Sequence, residues 1–92
     1  MLYPYIKLGD GTEILHTGIK EKDGVETVEV QFEKATEIGF KSARCILPTY
    51  EWINVENCSE EDIAFFTELV EHSAHLFYKY ARIGGIGGIN IA

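Results

Sequence analysis

From Ser59 to Ile83 the chain contains neither glycine nor proline, and both ends of that stretch carry helix punctuation. Ser59 with Asp62 three residues on reads as a capping box. Glu60, Glu61 and Asp62 put negative charge where the helix dipole favours it, and Lys79 and Arg82 fall in the last turn. Gly84 follows as a C-terminal stop. The spacing predicts one helix over residues 59–83, about 35 Å long at 1.5 Å per residue. Two apolar rows run along it: Ile63, Phe66, Val70, Ser73, Phe77, Tyr80, and Phe65, Leu69, His72, Leu76, Tyr80. Together they form a broad stripe that must be covered, while Thr67, Glu68, Glu71, His75, Tyr78 and Arg82 fall mainly opposite.

The cover has to come from residues 1–55, which read as strands. Val28, Val30 and Phe32 alternate with Thr27, Glu29, Gln31 and Glu33, so Val25–Lys34 is a strand with one wet and one dry face. Met1–Leu8 alternates less cleanly, and Pro4 marks it as an edge strand because proline cannot donate to a ladder. Gly9-Asp10-Gly11-Thr12 is a turn, and Glu13–Ile19 a second strand. Lys20–Gly24 is another turn; both turns contain the Asp-Gly pair favoured in tight hairpins. Phe40–Leu47 has imperfect parity: Ala43, Cys45 and Leu47 share a face that Phe40 and Ile46 do not. A bulge or a second covered face would reconcile them. Pro48 ends that run, and Tyr50–Val55 is a short fifth strand.

The expected fold is therefore α+β: an antiparallel meander of four to five strands covered by one long C-terminal helix. At 92 residues the chain makes a single domain with one core. Strands of five or six residues cover only about 17–20 Å, so the helix is expected to outrun its sheet. Phe77, Tyr78 and Tyr80 would then need another surface. The tail, residues 84–92, repeats Gly-Gly-Ile and then alternates. It would either add a strand to a sheet edge, in cis or across a dimer, or run loose.

A net charge of −7 with no Lys/Arg cluster excludes a phosphate-neutralising surface, so neither nucleic acid nor an anionic membrane is expected as a partner. Two cysteines, no leader-like start and no long apolar run point to the cytoplasm. Cys45 lies among apolar strand residues as a small hydrophobe. Cys58 stands just before the helix, where a helix N-terminus can in principle lower a thiol's pKa.

Chemical motifs are sparse. Glu68, Glu71, His72 and His75 stand at i,i+3 and i,i+4 spacings, so neighbouring side chains could share a divalent ion, with His16 joining if the fold brings it near. The same spacing also serves simple charge pairing. The terminal glycines follow a helix and lack a lysine, so they form no phosphate loop. Ser42, Ser59 and Ser73 have no nucleophile frame, and no cofactor is implied. Tyr50 and Trp52, with Tyr3 and Tyr5, are aromatics that on an exposed sheet face would make binding hot spots.

These features favour a small non-catalytic cytoplasmic module, antitoxin-like or inhibitor-like, that binds another protein or itself as a homodimer. Its expected contact residues are Tyr50, Trp52, Phe77, Tyr78 and Tyr80. The alternative is a metal- or small-ligand-binding domain built on Glu68, Glu71, His72 and His75.

Overall fold

The computed structural model describes residues 2–85. Six strands precede one helix: β1 (Leu2–Lys7), β2 (Glu13–Thr17), β3 (Lys20–Lys22), β4 (Val25–Thr36), β5 (Gly39–Leu47), β6 (Glu51–Glu56) and α1 (Glu60–Ile83). The sheet is antiparallel in the order β1-β2-β4-β5-β6, with β3 pairing β4 beyond the end of β2. Packed by α1, this is the α+β meander expected from the pattern. The expectation for a docked tail falls largely on residues 86–92, outside the described residues.

Its hairpins follow from local chemistry. Asp23 and Gly24 both take positive φ, 52° and 80°, as a two-residue type I′ turn requires. They join Lys22 directly to Val25. The predicted turn at Lys20–Gly24 is thus shorter than expected, and Lys20–Lys22 is a strand. At the first hairpin only Gly11 has positive φ. That loop is wider, closed by Leu8 N–H donating to Thr12 O at 2.8 Å and Thr12 N–H donating to Asp10 Oδ1 at 2.9 Å.

β4 is the spine. Val28, Val30 and Phe32 are buried, facing Ile14 and His16 on one neighbour and Ala43, Cys45 and Leu47 on the other. β5 stays in continuous register with β4 from Leu47 to Gly39. No bulge interrupts that pairing, and Phe40 simply faces solvent at 62% exposure. Register shifts lie instead in β6, where Asn54 takes φ 51°, and in β1 between Pro4 and Ile6. On the opposite edge, Pro4 of β1 pairs with Leu15 and has no N–H to offer outward.

The expected overhang of the helix does not occur. β4 has twelve residues, about 40 Å at 3.3 Å each. This matches the helix, about 36 Å for its 24 residues. Both ends of α1 are tied to the sheet. Near its start, Lys41 Nζ lies 3.0 Å from Asp62 Oδ2. Near its end, Arg82 makes a two-pronged contact with Glu26 at 2.9 and 3.0 Å.

Candidate interaction surfaces

Ser59 and Asp62 form the full capping box: the serine Oγ accepts from Asp62 N–H at 3.1 Å, and Ser59 N–H donates to the Asp62 carboxylate at 2.9 Å. The Ser59 amide and then Lys41 hold the Asp62 carboxyl below its ordinary range. Gly84 takes the left-handed conformation at the other end. There Gly85 N–H donates to Tyr80 O at 2.7 Å. A side chain at Gly85 would meet the Tyr3 Cβ at 2.9 Å, so only glycine lets the chain leave the helix against β1.

Between these caps, Phe66, Val70, Phe77 and Ala81 form the row buried on the sheet. Phe66 stacks on Phe32 at 4.2 Å between centroids. Phe77 lies 4.5 Å from Tyr5 and 6.0 Å from His16, centroid to centroid. His16 is fully buried on β2; its Nδ1–H donates to Thr17 O at 2.8 Å, and Nε2 has no partner.

The second predicted row parts company with the first. Phe65 is 51% exposed, His72 is exposed, and Leu69 and Leu76 are only half-buried. At 100° per residue this row stands about a third of a turn from the buried one, so Leu69 packs at the edge of the core while Phe65 reaches solvent. Ile83, 46% exposed, continues it. Phe65, Leu69 and His72 line a shallow apolar depression of about 300 Å³ with Glu68 and Ser73.

The expected metal ligands sit on the outer helix. Glu68, Glu71, His72 and His75 are all exposed, and His16 lies on the buried side. Among the described residues no three or more His, Cys, Asp or Glu side chains gather as an ion would require. The helical spacing brings these side chains to one rod, but among the described residues no further ligand joins them to complete a coordination sphere.

The aromatic residues expected at a partner surface are drawn into the protein's own packing. Phe77 is fully buried and has nothing to offer outward. Tyr78 donates its hydroxyl to Glu26 O at 2.9 Å, and Tyr80 lies 6.1 Å from the Tyr5 ring. Trp52 Nε1–H donates to Thr67 Oγ1 at 3.2 Å while its ring packs near Phe32 and Phe66. Tyr50, half-buried, turns the chain into β6 with φ 60°.

The open face of the sheet carries a second depression, about 470 Å³, lined by Gln31, Glu33, Phe40, Ser42, Arg44 and Glu56 among others. Beside it Glu29 bridges Lys20 at 3.1 Å and Arg44 at 3.4 Å. Partial burial works against the Glu29 charge, but the two cations outweigh it and hold the carboxyl below its ordinary range. Sequence reasoning did not single out this concavity, although the polar alternation of β4 signals a wet face. Ser42 has no histidine among the lining residues, so the depression offers no Ser–His pair.

Neither thiol is activated. Burial pushes Cys45 up to about 11. Burial and then the Asp62 charge raise Cys58, whose Sγ donates weakly to Glu56 O at 3.4 Å. The helix N-terminus therefore loses to desolvation and to its own acidic cap. Among the described residues no helix is long and apolar enough to cross a membrane. No protein-family model, curated protein or solved structure matches the chain.

Proposed function

We propose that this protein is a non-catalytic interaction module that docks another protein chain through the outer flank of α1. The observation that carries this reading is the row Phe65, Leu69, His72, Leu76 and Ile83, apolar apart from His72 and half-buried or exposed, in which Leu69 borders the core while Phe65 and Ile83 reach solvent. Clustered apolar side chains on a well-anchored helix are the usual footprint of a protein contact. The net charge of −7 weighs against nucleic acid as the partner. Two free cysteines, one sealed in the core, suit a reducing compartment, which favours action in the cytoplasm.

The test is a photo-crosslinking residue placed at position 65 in cells that make the protein, with position 38 as control. Ile38 is 99% exposed and lies at the β4–β5 turn of the sheet, not on α1. The expected result is a discrete adduct from position 65 and none from position 38. Equal or absent labelling from the two positions would sink the reading.

A further inference from the structure

The exposed row of α1 recurs at steps of four and three: Phe65, Leu69, His72, Leu76, Lys79, Ile83. That is heptad spacing, the pattern by which one helix lies along another. At 100° per residue these six positions fall within about a quarter-turn.

We infer that the occupant of this flank is a second copy of the chain, docked helix to helix and antiparallel; this rests on the interaction reading above. Charge selects both the occupant and the direction. Glu61 and Glu68 border the N-terminal half of the row, and Lys79 lies in its C-terminal half. None of the three joins an ion pair among the described residues. Arg82 is already committed to Glu26. Two parallel copies would set Lys79 beside Lys79 within the seam, with both acidic ends at the same level. An antiparallel pair, with its two-fold axis near Ala74, sets Phe65 on the partner's Ile83, His72 on the partner's Leu76 and Leu69 on the alkyl stem of the partner's Lys79. It also brings each Glu68 beside the partner's Lys79. Opposed helix dipoles favour the same direction. From Phe65 to Ile83 the seam is about 27 Å long. It is a short contact, so the dimer dissociates on dilution.

Sedimentation equilibrium of the full chain, from micromolar to millimolar, tests this. Glu68 and Lys79 are both exposed, so reversing them leaves folding intact. Glu68→Lys and Lys79→Glu should each weaken the dimer about tenfold. The double reversal should restore it to within about threefold, because the pairing is only inverted. A chain ending at Gly85 should dimerise like the full protein. A monomer at every concentration, a dimer indifferent to the reversals, or a dimer lost with residues 86–92 overturns the inference. The position-65 crosslink separates this failure from the wider one. An adduct to a different protein leaves the interaction reading standing, and no adduct removes both.

Discussion

The Tyr78 hydroxyl donates to the main-chain oxygen of Glu26 at 2.9 Å, across 52 residues of sequence. With Arg82 gripping the Glu26 carboxylate, this fastens the last turns of α1 to the start of β4. Tyr78→Phe keeps the ring and loses only the hydrogen bond. Urea unfolding should show a loss of about 1 kcal/mol. An unchanged midpoint would mean that the contact adds nothing to folding.

The two helix rows should respond oppositely to truncation. Phe77, fully buried between Tyr5 and His16, should lose about 3–5 kcal/mol on replacement by alanine, enough to threaten folding. Phe65→Ala should stay within about 0.5 kcal/mol of the parent, since half its surface is already in water. Denaturant titrations of both variants check this, and comparable losses would mean that the flank is structural.

The capping box gives an acid-side prediction. Ser59→Ala should cost about 1 kcal/mol. Asp62 has a folded pKa lowered by the Ser59 amide and by Lys41. Its contribution is therefore present above its ordinary value of 3.8 and is lost as pH falls below that value. Asp62→Asn should be less stable than the parent at neutral pH, and the gap should close in acid. Thermal melts in a pH series read this directly; a constant gap would show that the charge is irrelevant.

Both thiols should resist alkylation at neutral pH while the protein is folded. Cys45 should be protected almost completely and Cys58 partly, with both reacting freely in denaturant. Mass spectrometry of iodoacetamide adducts over time provides the measure. Fast labelling of Cys58 in the folded protein would contradict the balance of burial and Asp62 charge described for it.

The helix was readable almost to the residue because its signals are local: Ser59 caps through Asp62, and Gly84 turns left-handed. The alternation of Val28, Val30 and Phe32 likewise reports burial directly. The relation between elements was less readable. Average strand length implied an overhanging helix, yet β4 runs to Thr36 because its pairing with β5 continues well past Phe32. Phe65, Leu69 and Leu76 look like core by hydropathy, and only the placement of α1 on β4 and β2 shows which row is covered. Tyr78 looked equally free until Glu26 came round to meet it. The open-face depression involves Gln31, Arg44 and Glu56, which lie on three strands and carry no joint pattern in one dimension.

Pro4 on one rim of the sheet and the kinked Asn54 on the other leave little for an incoming strand to grip. Each of these two margins thus carries one of the devices by which β-proteins discourage the edge-to-edge addition that leads to fibrous aggregation. Crowding in a concentrated solution should then yield finite particles instead of filaments.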